Sequence, residues 1–476
     1  MSSIVGIQGN FKGNDLIKML KASKNRGLDS TGIFLKKIQQ NIDLYEYQDN
    51  STYHIALGHN LLSITDSDNQ PVSGNNLVLI LDGAVYNFKT IRNFLTKAGV
   101  EENIQSDAEA ILYLIDYFNN DNLIEAILSA VKLLDGDYSF ALWDGDNLAI
   151  VRDPLGVKPL FYSINNDFSA FASSRDSLHD ISCENIHTLK PGHILFNWNI
   201  YSFENIHEKR MYVDKNKLEK LLKLSVSKRI EGLNDVGVIF SGGVESSILA
   251  LFLKKISLNK KLNITLYAVG SENSKDIKAA KYGAEYLNIP LKTQIITEKL
   301  IKKHLPEVTH AIADDNLMKI GVGLTTYFAT KMIHEDGLKV AISGQGADEL
   351  FGGYNRYLKS FSEKTLESDI RKDISDMYHV NLERDDACAM LNSVELRLPF
   401  LDKKLVEFAI NLPAENKISG SDDALRKNIL RKLAYDEGLD DAIAFRPKKA
   451  AQYGTGIDKI LRKKILNKVD LSGFLQ

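Results

Sequence analysis

Two spacings of apolar residues divide the chain. Up to about residue 200 they come in short runs, at 4–7, 32–35, 55–58, 77–81 and 138–143, which predict strands. Two helices are predicted among them. One covers 88–97, with Ile91, Phe94 and Leu95 on one face. The other starts at Ser106-Asp107-Ala108-Glu109, where Glu109 completes a capping box on Ser106. Strands with few helices predict stacked antiparallel sheets flanked by helical layers. Residues 187–194 read as a turn into the last strand of this half.

From about residue 215 the period changes. Leu218, Leu221, Leu222, Leu224 and Val226 fall at helical spacing over 215–230. Apolar runs at 236–240, 264–269, 293–297 and 339–342 then alternate with helical stretches from 248, over 275–287, from 298 and over 323–334. That alternation predicts parallel βαβ units with right-handed crossovers, an α/β doubly wound sheet. Beyond Tyr354 the pattern is mainly helical. Two domains follow, 1–205 and 206–476, with the boundary between Phe203 and Asp214. A chain of 476 residues is also too long for one typical core.

The chemistry is concentrated where strands of the second half end. Phe240-Ser241-Gly242-Gly243-Val244-Glu245-Ser246-Ser247 turns from strand to helix through two glycines and three serines. Such a turn leaves backbone N–H groups pointing outward at the positive end of a helix, which suits phosphate oxygens. An ordinary glycine turn is the alternative. The lysine of a Walker-type loop is absent. Val340 to Tyr354 repeats the plan: strand, Ser343-Gly344-Gln345-Gly346 turn, then Asp348 and Glu349 at a helix start. Ligands of such sheets sit at the carboxyl ends of the strands, where both turns and Val269-Gly270 fall.

Composition narrows the field. A net charge of -3 carries no polyanion signature, so no nucleic-acid partner is expected. Two cysteines, Cys183 and Cys388, make no disulfide framework and fit a reducing cytoplasm. No apolar run reaches the ~18 residues of a membrane span, and no signal segment is visible.

The two glycine stretches, with Ser393-Val394-Glu395-Leu396-Arg397-Leu398-Pro399-Phe400-Leu401-Asp402 and Arg446-Pro447-Lys448-Lys449 followed by Tyr453-Gly454, resemble the asparagine synthetase family. The resemblance is to its ATP-pyrophosphatase (HUP-like) synthetase domain, with motifs SGG-x-D-S and SG-x-G-x-DE-x-FGGY. It implies an AMP-forming carbon–nitrogen ligase that adenylates a carboxylate, aspartate or a related acid, and passes the acyl group to ammonia or an amine. It also implies an ATP site at Phe240, Ser241, Gly242, Gly243, Ser246, Ser247, Val269, Ser343 and Gly344, and Mg2+ on Glu245 and Asp348. Carboxylates suit that ion, though Glu245 is one methylene longer than the family's aspartate. Lys448 matches the family's oxyanion-stabilising lysine; a solvated basic run is its alternative. Glu395 and Arg397 read equally as a substrate-side pair or a structural one. Gln345 stands where asparagine-forming members mostly carry a carboxylate and β-lactam-forming relatives a tyrosine. Glutamine orients groups but takes no proton near neutrality.

The first half resembles the same family's glutamine-hydrolysing domain, of the N-terminal-nucleophile (Ntn-hydrolase-like) type. Asn25 to Gly32 resembles RGPDSxG, Leu57 to Ile64 LGHxRLSI, Asp82 to Asn87 NGEIYN, and Arg152 to Leu160 RDxxGxKPL. Its chemistry is replaced. The nucleophile cysteine is Ser2, the carboxylate-clamping arginine is Leu61, the oxyanion asparagine is Asp82, and the following glutamate is Ala84. Gly83 and Asp107 complete that degenerate site. A carboxylate at Asp82 repels developing negative charge. The expectation is a retained scaffold without glutaminase activity, with nitrogen supplied as free ammonia, an amine or by a separate protein. A β-lactam-forming enzyme, a catalytically silent nucleotide-binding paralogue and a homodimer remain open.

Overall fold

The structure is a computed structural model that describes the chain except residues 1, 36–37, 66–68, 204–214, 448–450 and 466–476. The chain divides into two compact units, Met1–Asn205 and Ile206–Gln476. The boundary expected at 203–214 falls almost wholly outside the described residues.

Unit 1 is built on two antiparallel sheets. The first has seven strands in the order His187–Thr188, Phe161–Ile164, Phe168–Ala172, Ser2–Lys12, Thr52–Leu61, Ser30–Leu35, Ile38–Asn41. The second has six: Asn199–Ser202, His193–Phe196, Leu148–Arg152, Gly136–Trp143, Leu77–Val85, Val72–Gly74. Ile4, Leu57, Ile80, Ile150 and Leu195 pack together as one cluster. Such inner-face pairs expel water from both sheets at once, and each fully buried aliphatic side chain contributes about 1.5–3 kcal/mol. Helices Phe88–Lys97 and Asp107–Phe118 stand as expected, the latter capped reciprocally by Ser106 and Glu109. Three further helices were not anticipated: Gly13–Ala22, Leu123–Leu133 and the short Arg175–His179. Leu123–Leu133 buries Leu123, Ala126, Ile127, Ala130 and Val131, a helical spacing in the sequence itself. The unit also ends one strand later than expected, with Asn199–Ser202.

The motif at Arg152–Leu160 is structural. Arg152 is fully buried and donates to three carbonyls: Lys158 (2.7 Å), Leu189 (2.7 Å) and Gly156 (3.0 Å). Asp153 accepts from the N–H groups of Leu155, Val157 and Lys158 at 3.0–3.1 Å. One side chain thus satisfies the carbonyls of a tight turn and the next its amides.

Unit 2 carries a five-stranded parallel sheet ordered Leu291–Ile295, Asn263–Gly270, Asp235–Ile239, Val340–Ile342, Glu395–Arg397. The chain runs outward from Asp235–Ile239 on one side, then returns to build the other. The order therefore reverses beside Asp235–Ile239, which makes the carboxyl end of that strand the natural ligand crevice. The region beyond Tyr354 is mainly helical as expected, and the fifth strand is an addition within it. Glu395–Arg397 is only three residues long and too short to show a period.

Replacing Arg152 by methionine leaves three buried carbonyls without donors. The expected loss is about 3 kcal/mol or more of unit 1 stability, read by urea unfolding followed by near-ultraviolet circular dichroism.

Candidate active site

The first glycine turn sits at the crevice. Phe240 is buried, and its N–H is committed to Tyr267 O at 2.8 Å. Gly242 has φ +66°, and a Cβ there would come 2.4 Å from the Ala279 carbonyl carbon, so only glycine fits. Ser241 Oγ accepts from Gly243 N–H at 3.3 Å, and Ser246 Oγ accepts from Ser241 N–H at 3.4 Å. These contacts shape the loop ahead of helix Val244–Ser257. Ser247 Oγ is buried with no hydrogen-bond partner among the described residues. Val269 is buried in its strand.

The second turn faces the first. A Cβ on Gly344 would lie 3.1 Å from Glu245 Cβ. Ser343 N–H donates to Arg397 O at 3.1 Å, and Gln345 is half-buried in the turn. Helix Ala347–Leu350 then presents Asp348 and Glu349. Glu349 Oε1 accepts from Tyr354 Oη (2.6 Å) and Asn381 Nδ2 (2.7 Å). Burial and the neighbouring Glu349 hold the Tyr354 hydroxyl far above its ordinary range, so it stays protonated.

Between Glu245 and Asp348 lies a residue that sequence reasoning missed. The Lys427 ammonium contacts Glu245 Oε1 and is 2.5 Å from Asp348 Oδ1, and its side chain is fully buried. Arg426 and Lys427 both have left-handed backbones, φ 55° and 57°. Two consecutive non-glycine residues there cost roughly 1–2 kcal/mol each. Arg426 Nε donates to Gly353 O at 3.0 Å. Arg431 donates to the Leu425 and Arg426 carbonyls and, with Nη1, to Ala444 O (2.7 Å) and Arg446 O (2.9 Å). Burial, with Arg426 nearby, pushes Arg431 down to about 10, which leaves it charged at neutral pH. Arg446 reaches the first loop, donating to Ser241 O at 2.8 Å and pairing with Asp276 Oδ1 at 2.8 Å. In the sequence Lys427 follows Arg426 in a stretch of mixed charge, and no local signal marks it.

The expected magnesium pair is therefore brought together, but around an ammonium. A divalent ion bridged by Glu245 and Asp348 does not fit this arrangement, because Lys427 lies against both carboxylates. Among the described residues no group of three or more His, Cys, Asp or Glu forms a metal cluster. Glu395 is buried and accepts from Arg397 Nε at 2.6 Å, while Arg397 Nη1 donates to Arg229 O at 2.6 Å. That geometry favours the structural alternative for the pair. Lys448 lies outside the described residues.

In unit 1 the replaced positions converge. Ser2 and Leu61 are cross-strand partners. Asp82 is fully buried and accepts from Ser2 N–H (3.1 Å), Ser173 Oγ (3.1 Å) and Arg26 Nη2 (3.2 Å). Gly83 follows it, opposite Tyr138. Asp107 Oδ2 accepts from Val85 N–H at 2.8 Å. Leu61 is buried and offers no donor from its side chain. Burial pushes His59 down to about 3, so the ring is neutral at physiological pH.

Comparison with known proteins agrees with both halves. The asparagine synthase family model matches residues 217–372 and 362–471, and the glutamine amidotransferase domain model matches 1–220. A Methanocaldococcus jannaschii protein, named a putative glutamine-hydrolysing asparagine synthetase, is 37% identical over 94% of this chain and 92% of its own. The Asparagus officinalis glutamine-hydrolysing asparagine synthetase is 28% identical over 84% of this chain and 70% of its own. Among solved structures, a Bacillus subtilis glutamine phosphoribosylpyrophosphate amidotransferase overlaps 72% of this chain and 81% of its own, at TM-score 0.39 and 17% identity.

Removing Arg26 strands the buried Asp82 carboxylate. Arg26→Ala is expected to destabilise unit 1 by about 3–5 kcal/mol in urea unfolding. Arg26→Ala combined with Asp82→Ala recovers much of that loss if the pair is the cause.

Proposed function

The chain belongs to the asparagine synthetase family, and from that premise we propose that it joins nitrogen to an adenylated carboxylate without producing its own ammonia from glutamine. An ATP-dependent carbon–nitrogen ligase is the class its relatives and its synthetase domain support. The observation that carries the finer reading is the meeting of the two glycine turns with Lys427 and Arg446 at one strand end.

In the proposed reaction a carboxylate oxygen of aspartate, or of a related acid, attacks the α-phosphorus of ATP. The bond to the β-phosphate oxygen breaks, and pyrophosphate leaves toward the 241–247 loop. The loop's N–H groups and the helix N-terminus hold its oxygens, and Lys427 lessens the repulsion from the Glu245 and Asp348 carboxylates beside it. Magnesium enters as the counter-ion of the nucleotide substrate, chiefly on phosphate oxygens. A neutral amine then attacks the acyl carbon, AMP departs with the bonding pair, and the proton that the nitrogen sheds passes to the departing phosphate or to water. Gln345 holds the nitrogen by hydrogen bonds but takes no proton, so the amine arrives as the free base.

Two replaced positions support the reading of unit 1 as without glutaminase activity. Leu61 offers nothing to a carboxylate, and Asp82 opposes an oxyanion beside Ser2. Ammonia then comes from solution or from a separate protein. A silent nucleotide-binding paralogue is the second reading, favoured by the departures at Glu245 and Gln345. Aspartate-dependent exchange of labelled pyrophosphate into ATP decides between them: exchange is expected, and none with any carboxylate despite ATP binding points to the silent protein.

With ammonium as donor, the rate is expected to rise with pH in step with the free-base fraction. Gln345→Glu supplies a proton acceptor, and positioned bases contribute ~10²–10⁴-fold, so the rate near pH 7 is expected to rise at least about tenfold. Glutamine yields no glutamate with the native chain or with Ser2→Cys alone, measured by glutamate release. Glutamate release by the native chain contradicts the account of unit 1.

A further inference from the structure

We infer that Glu245 is a positioning residue for Lys427 and not a metal ligand, so that the cation beside the phosphate loop is supplied by the chain. The inference rests on reading the 241–247 loop as the triphosphate site.

Three contacts and two clearances carry it. The Lys427 side chain is fully buried, and its ammonium is shared between Glu245 Oε1 and Asp348 Oδ1. Its stem passes close over Gly353: a Cβ there would lie 2.2 Å from Lys427 Cε and 2.0 Å from Asp348 Oδ1, so a side chain at that position would displace the pair. Arg426 ties that passage to the Gly353 carbonyl at 3.0 Å. The other oxygen of Glu245 turns back over the loop, 2.9 Å from where a Gly243 Cβ would stand.

The electrostatics follow from this placement. Two bare carboxylates at the loop mouth repel a triphosphate, and the shared ammonium cuts their joint charge from -2 to -1 and so weakens that repulsion. The long side chain of Glu245 spans from the first turn of helix Val244–Ser257 to Lys427, and an aspartate on the same backbone is one methylene shorter. The extra methylene that weakens Glu245 as a strict magnesium ligand is thus what lets it hold the lysine. Asp348, touching the same ammonium, anchors it from the second turn.

The test measures binding rather than turnover, using α,β-methylene-ATP, which cannot release pyrophosphate. Calorimetry at saturating magnesium gives its affinity for the native chain, Glu245→Gln, Glu245→Asp, Lys427→Met and the double variant Glu245→Gln/Lys427→Met. Electron paramagnetic resonance of free Mn2+ gives the metal retained by each complex. Glu245→Gln and Glu245→Asp are each expected to weaken the analogue about tenfold, with Mn2+ retention changed less than about twofold. Lys427→Met is expected to cost about tenfold alone and less than about twofold more beside Glu245→Gln, since both act through one pair. Native-like binding by Glu245→Asp, a tenfold loss of Mn2+ in Glu245→Gln, or additive losses in the double variant each overturn the inference while leaving the phosphate site standing. A native chain that binds no analogue at any magnesium concentration overturns both. Thermal melts monitor folding, and if Lys427→Met does not fold, the Gln and Asp variants with their Mn2+ retention decide alone.

Discussion

One ammonium and two carboxylates fix the centre of unit 2. Lys427 meets Glu245 from the first glycine turn and Asp348 from the second, with its own side chain fully buried and both carboxylates partly exposed. Burying an ion is costly, and here the cost is offset only because both opposite charges arrive on rigid helix starts. Remove the lysine and two acids face each other beside the 241–247 loop. The left-handed pair Arg426-Lys427 and the clearance at Gly353 follow from that demand, because the side chain must enter through a narrow gap.

Around this centre the carbonyls are held by arginines. Arg431 ties the Leu425–Arg426 turn to the Ala444–Arg446 stretch, and Arg446 closes onto Ser241 and Asp276. Three stretches distant in sequence are thereby brought to one strand end. A guanidinium suits the task, since its fixed fork donates to several carbonyls at once and stays charged when buried. The same device appears in unit 1, where Arg152 holds three carbonyls and Arg26 holds Asp82.

The contrast between the two sites is chemical. In unit 1 a buried carboxylate at Asp82 is satisfied by Ser2, Ser173 and Arg26. Those are bonds of a settled core, with the charge already spent on neighbours. In unit 2 the carboxylates bracket a cation, and the loop serines bond mostly to their own turn, which leaves the loop's outward face to a ligand.

Much of this was legible along the chain. Period and turn residues placed the helices Phe88–Lys97, Asp107–Phe118 and Lys275–Leu287, and the βαβ alternation announced a parallel sheet with its crevice at two glycine turns. Those features are local, because a helix face, a cap or a strand-to-helix turn is written in adjacent residues. The fifth strand, Glu395–Arg397, was hidden by its length, whereas the buried residues of helix Leu123–Leu133 do fall at helical spacing. The partnership of Lys427 with Glu245 and Asp348 had no local trace. It joins residues 182 apart in the chain, and a lysine in a stretch of mixed charge looks the same whether it ends in water or between two acids. Only the packing of distant turns against one another decided which of the two it was.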